Sequence, residues 1–177
     1  MPRLPYKPDA AAGPEEIVAA IRERRGGTLL HLDRQLLYSP ALAVAWNQMM
    51  GTVRNRLDVP PRLREIAICV VATINRAPYE FHHHAPLLLA AGGSEAQVEA
   101  LRDVDAAATR ADLFDRAELA TLRLALEMTR SVHVADATFD EARTALADDA
   151  RLVELVATIA SYNMVSRVIV ALEIELE

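Results

Sequence analysis

Apolar residues recur along this chain with the period of α-helices, and no long stretch shows the two-residue alternation of a half-buried strand. The densest run, Ile66 to Ala72, is apolar or small at every position. The helix it predicts, Arg62–Ile74, therefore has no wet face and belongs in the interior. Pro60 and Pro61 sit at its start, where the N–H groups have no helical partner to lose. A second helix is predicted from Pro78 to Ala91, opened by a proline and stopped by Gly92-Gly93. Glu65 stands in the first turn of the first helix. Glu80 and His84, four residues apart on the second, share one face.

The flanking segments are read in the same way. Residues 1–13, with Pro2, Pro5 and Pro8, predict an extended arm, and residues 14–177 a single domain. Pro14–Arg25 has acidic residues first and basic residues last, matching the helix dipole, and ends at Gly26-Gly27. Leu29–Tyr38 is a further helix. Ser39-Pro40 opens Ala41–Arg54, whose apolar side carries Leu42, Trp46, Met49, Met50 and Val53. Ser94 with Gln97 forms a capping box that opens a short helix to about Val104. Asp115–Glu118 opens the next, to about Arg130, and Thr138–Glu141 another, ending before Asp148. The last helix covers about Ala150 to Leu172, with Leu152, Val156, Ile159, Val165 and Ile169 as its buried stripe. The expected fold is an all-α bundle of about seven or eight helices.

Composition narrows the partners. Apolar residues make up 52% of the chain and aromatic ones only 5%, which points to aliphatic helix packing. Such a balance in a chain of 177 residues also suggests apolar surface covered by sister subunits. The formal net charge is −6 and no basic cluster stands out, which argues against nucleic acid or an anionic membrane as partner. No signal peptide and no apolar run of spanning length is recognised, so a cytoplasmic protein is expected. Cys69 is the only cysteine and excludes an internal disulfide. It reads as a small buried hydrophobe without a resolving thiol.

The candidate chemistry is that of proton transfer. A carboxylate beside an imidazole favours its charged form and fixes which ring nitrogen keeps its proton, so Glu80 and His84 can act as a pair. Desolvation would raise the Glu65 carboxyl and the helix N-terminus would lower it. Successive helix positions turn by about 100°, so His82, His83 and His84 fan out and cannot close on one ion. No metal and no cofactor is expected. Within its helix Pro86 deprives the His82 carbonyl of its usual donor.

These residues carry a family resemblance. Arg64-Glu65, a dozen mostly apolar residues, then Tyr79-Glu80-Phe81-x-x-His84 and an Ala-Ala-Gly ending resemble the carboxymuconolactone decarboxylase/AhpD-like superfamily over residues 39–101. Tyr162 to Arg167 is similar to the closing helix of its peroxidase-related members. In the thiol peroxidase branch C-x-x-C-x-x-x-H occupies this place, and its histidine and an upstream glutamate form a proton relay. The resemblance puts His84 and Glu65 in those two roles, while Ala77 and Glu80 fill the cysteine positions. It implies an AhpD-like helical bundle assembled as a homo-oligomer, trimer or hexamer. It also implies an acid–base enzyme of decarboxylase or lyase type acting on a small organic molecule, with Glu65, Glu80 and His84 catalytic. Tyr79, His83 and Trp46 are the expected substrate contacts. The alternatives are a non-catalytic member that binds a ligand or assembles with partners and, third, an alkylhydroperoxidase, which the missing cysteines disfavour.

Overall fold

The computed structural model describes residues 1–177, all of them in helices, turns and connecting segments, with ten α-helices, one turn of 3-10 helix and no β-strand. The chain divides into two compact units, residues 1–57 with 169–177, and residues 58–168.

The first unit contains α1 (Glu15–Arg25), α2 (His31–Leu36) and α3 (Pro40–Asn55). The proline-rich arm has one 3-10 turn, Asp9–Ala11, and its carbonyls are taken up by side chains. Gln35 donates to the Leu4 carbonyl at 2.7 Å, Tyr38 to that of Pro5 at 2.9 Å, and Arg34 to that of Lys7 at 2.6 Å. Backbone groups that proline leaves without helical or sheet partners are thus satisfied. α1 closes on Gly26 at φ +79°, a left-handed turn that favours glycine. On α3 the structure corrects the predicted apolar side. Trp46, Met50 and Val53 are buried, but Leu42 and Met49 lie on the exposed face, 48% and 46% accessible.

The second unit is built around α4 (Pro61–Ile74), with α5 (Pro78–Ala90) and α8 (Arg116–Ser131) packed against it. α6 (Glu95–Ala100), α7 (Val104–Ala107) and α9 (Asp136–Leu146) complete it, together with the body of α10 (Asp149–Leu172). Every residue from Ile66 to Val71 is fully buried, as an all-apolar helix requires. The expected capping box at Ser94 forms, and the segment opening at Asp115 makes another. Ser94 and Gln97 exchange bonds of 3.2 and 3.0 Å, and Asp115 and Glu118 two of 2.9 Å.

Three expectations need correction. There are ten helices rather than seven or eight: α2 and α6 fall in segments expected to be helical, whereas α7, not expected, is only four residues long. So few residues span less than two turns and show no countable hydrophobic period. α9 starts at Asp136, before Thr138. Thr138 is already the third residue of the helix and so is not its cap; its hydroxyl donates to Glu127 at 2.6 Å, and Glu127 also accepts from the Ala135 N–H. Finally, α10 is long and apolar enough to cross a bilayer by length and composition, against the expectation of no such run. It is also a core helix, burying Leu155, Ile159, Tyr162 and Ser166 almost completely.

Candidate functional site

The predicted chemistry gathers in the second unit, on facing sides of α4, α5 and α10. Glu65, Glu80 and His84 are 2%, 2% and 5% exposed, so each must find a partner or bear a desolvation cost. Glu65 lies in the second turn of α4, not the first, because the helix already begins at Pro61. Its stabilisation therefore comes from side chains. His84 Nδ1 stands 2.6 Å from Glu65 Oε2, and Arg64 Nε donates to Glu65 Oε1 at 3.1 Å. Burial is the strongest single influence on the Glu65 carboxyl and pushes it up. The hydrogen bonds and charges of His84 and Arg64 together outweigh it and hold the group below its usual range. The neighbouring Arg62 pairs with Glu118 on α8 instead.

A carboxylate can only accept, so His84 Nδ1 carries the proton in this bond. Proton exchange with a ligand would then pass through Nε2. The ring is also fixed edge-on against Tyr162 of α10, with centroids 4.9 Å apart. A carboxylate below and an aromatic wall beside it leave the imidazole one orientation and one tautomer.

Glu80 behaves differently. Its Oε1 accepts from the Ser166 hydroxyl of α10 at 2.9 Å, and its Oε2 has no hydrogen-bond partner. The expected Glu80–His84 pair is thus replaced by a Glu65–His84 pair and a Glu80–Ser166 pair. Four-residue spacing would let the two side chains meet, but each is held by a partner on a facing helix, His84 by Glu65 on α4 and Glu80 by Ser166 on α10. Burial pushes the Glu80 carboxyl up to about 8, and the Ser166 bond only partly opposes it. The two carboxyls are therefore driven in opposite directions.

Cys69, one turn after Glu65, is completely buried. Burial first, and then the nearby charges of Glu65 and Glu80, push its thiol far above the ordinary range. That places Cys69 within electrostatic reach of both carboxyls. Of the expected substrate contacts, Tyr79 is buried and packs at 4.5 Å against the half-buried His83 on α5. Trp46 belongs to the first unit, buried on α3. His82 is exposed. No group of three or more His, Cys, Asp or Glu side chains is arranged to hold a metal ion. Ser166 and Tyr162 lie in the stretch that resembles the family's closing helix, but neither was expected as a site residue. Their spacing, four residues apart like Glu80 and His84, was the available signal.

Comparison with known proteins agrees with this architecture. The model of the carboxymuconolactone decarboxylase family matches residues 40–117. No curated protein matches the chain significantly in sequence. Among solved structures, an AhpD-core, uncharacterized peroxidase-related protein from Ralstonia eutropha JMP134 superposes with a TM-score of 0.84. It is 19% identical, over 99% of this chain and 92% of its own. A peroxidase-related protein from Silicibacter sp. TM1040 gives 0.81 at 18% identity, over 99% and 94%. The debrominase Bmp8 gives 0.81 at 19% identity, over 97% and 90%, and a variant of it has been solved with 2,3,4-tribromopyrrole. The resemblance to the carboxymuconolactone decarboxylase/AhpD-like superfamily thus holds in the family pattern of residues 40–117 and in the fold of the chain, without the C-x-x-C pair.

Proposed function

We propose that this protein is an acid–base enzyme that moves a proton on a small organic molecule, in the manner of a decarboxylase or lyase. The observation that carries the reading is the buried 2.6 Å bond between His84 Nδ1 and Glu65 Oε2. It orients the imidazole, fixes its tautomer and stabilises the imidazolium that forms when Nε2 takes up a proton. His84 is the proton carrier, Glu65 its orienting carboxylate, and Glu80 the third member of the site. A carbanion or enolate formed by loss of carbon dioxide would be protonated at carbon from Nε2. Bmp8, solved with a tribromopyrrole, supports a small-molecule site in a fold of this kind. Thiol peroxidase chemistry fits poorly, since it needs an exposed, low-pKa thiolate with a resolving partner. Cys69 is buried with its thiol pushed up, and Ala77 and Glu80 supply no sulfur.

The test is a screen of small lactones and β-keto carboxylates for carbon dioxide release or proton exchange. His84→Ala should lower turnover of any substrate found by about 10²–10⁴-fold, with the circular dichroism of the fold retained. Equal turnover by wild type and His84→Ala would remove the acid–base reading and favour a ligand-binding role.

A further inference from the structure

The oxygen Glu80 Oε2 is buried and has no partner in the protein, although its own carboxyl is held firmly at the other end. Ser166 donates to Oε1, which makes Oε1 the carbonyl oxygen of a neutral acid and leaves the acid proton on Oε2. An ionised carboxylate here would bury its charge against one hydroxyl, an expensive arrangement. A neutral acid needs only one acceptor, and the protein provides none. The titratable groups of this seam are Cys69 and Glu65 on α4, His84 on α5 and Tyr162 on α10, and Oε2 forms a hydrogen bond with none of them.

The helices place this donor in the same seam as the imidazole. Glu80 meets Ser166, and one turn further along α5 His84 meets Tyr162, which lies one turn back along α10. These are consecutive rungs between two antiparallel helices, so Glu80 and His84 face the same partner. Cys69 of α4, within reach of the charges of both Glu65 and Glu80, closes the third side.

We propose that Glu80, braced by Ser166, is the hydrogen-bond donor that grips a carbonyl oxygen of the substrate, and that the substrate is a small ketone, ester or lactone. The proposal rests on the acid–base reading of His84. In the step it implies, the bond from the α-carbon to hydrogen breaks and its electron pair forms a carbon–carbon double bond. The carbonyl π pair moves onto oxygen, where the Glu80 Oε2 proton holds it, and the released proton goes to His84 Nε2. The reverse step returns it. A neutral donor suits this task because it strengthens as charge develops on the oxygen and repels nothing beforehand.

The experiment uses carbon-13 labelled glutamate in the full-length protein, with phenol as a neutral mimic of the enol. Glu80 is assigned by its loss in Glu80→Gln. In wild type its carboxyl signal should remain that of the acid at pH 7 and move on addition of phenol. Ser166→Ala removes a bond that favours the charged form, so Glu80 should then titrate at higher pH. Phenol should bind Glu80→Leu, which keeps the apolar volume, about tenfold more weakly than wild type, one neutral hydrogen bond's worth. His84→Ala should still bind it. A Glu80 signal that titrates below pH 6 overturns the assignment, as does phenol binding that is absent or the same in wild type and Glu80→Leu. Full turnover by His84→Ala with the expected Glu80 signal would strike the acid–base reading and leave the donor standing.

Discussion

Replacing Glu80 with glutamine should stabilise the fold, and increasingly so as pH rises. The new side chain would present an amide in place of the neutral acid, with a carbonyl for Ser166 and a donor where Oε2–H stood. It cannot ionise. In wild type the carboxyl titrates near 8 when folded, against an ordinary value of 4.5. Between those values the folded state keeps a proton that the unfolded chain releases, so stability must fall as pH rises. The gap corresponds to about 5 kcal/mol in full, with about 3 kcal/mol of it already expressed at pH 7. Other titrating groups are common to both proteins and cancel in the difference. Urea denaturation at fixed protein concentration from pH 4.5 to 9 measures it. The two stabilities should diverge steadily up to about pH 8 and then run parallel, with the glutamine variant the more stable. A difference that stays constant over that range would show that Glu80 is ionised in the fold like any surface glutamate, and the burial argument would be wrong.

Glu65 should show the opposite sign. Its folded carboxyl is held low, so the stability it confers is present above about pH 4.5 and is lost as pH falls through the folded value. Glu65→Gln should cost about 3 kcal/mol at pH 7 by leaving His84 and Arg64 without their carboxylate, and a neutral result in urea denaturation would refute the ion pair. Cys69 should resist thiol reagents at pH 8 in the native protein and react at once when unfolded; fast native labelling, or peroxide reduction lost in Cys69→Ser, would restore the thiol as a functional group. Assembly into a trimer or hexamer is proposed, and the exposed apolar residues Leu42 and Met49 on α3, and Val153, Met164 and Val170 on α10, are the surfaces it would cover. Sedimentation should give a multiple of 19.4 kDa, and a clean monomer at micromolar concentration would count against it.

The long helices were legible because their signals are local. Pro61 and Pro78 at first turns, Gly26 and Gly92 at left-handed stops, and the Ser94 and Asp115 boxes all act within a few residues. What escaped depends on neighbours far away in sequence. Thr138 looks like a cap, but the helix starts at Asp136, where Glu127 from another helix accepts from the Ala135 N–H and the Thr138 hydroxyl. Leu42 and Met49 carry the right period for a buried side of α3, yet periodicity does not say how wide that side is, and both lie outside it.

The site shows the same division more sharply. Sequence spacing put Glu80 and His84 on one face, and that placement holds, but a shared face is not a shared bond. His84 takes its carboxylate from a residue nineteen positions earlier, across the α4–α5 contact. Glu80 takes its hydroxyl from one eighty-six positions later. Those two choices set the chemistry. Glu65, with a ring N–H and a guanidinium against it, stays charged despite burial; Glu80, with one hydroxyl, does not. Two glutamates of equal exposure thus become an anion and an acid because of what the opposite helix brings. An i,i+4 pair would have produced a different arrangement, giving Glu80 the imidazole and leaving Glu65 with Arg64 as its one charged partner. The separation of the two carboxyls is a property of the three-helix seam.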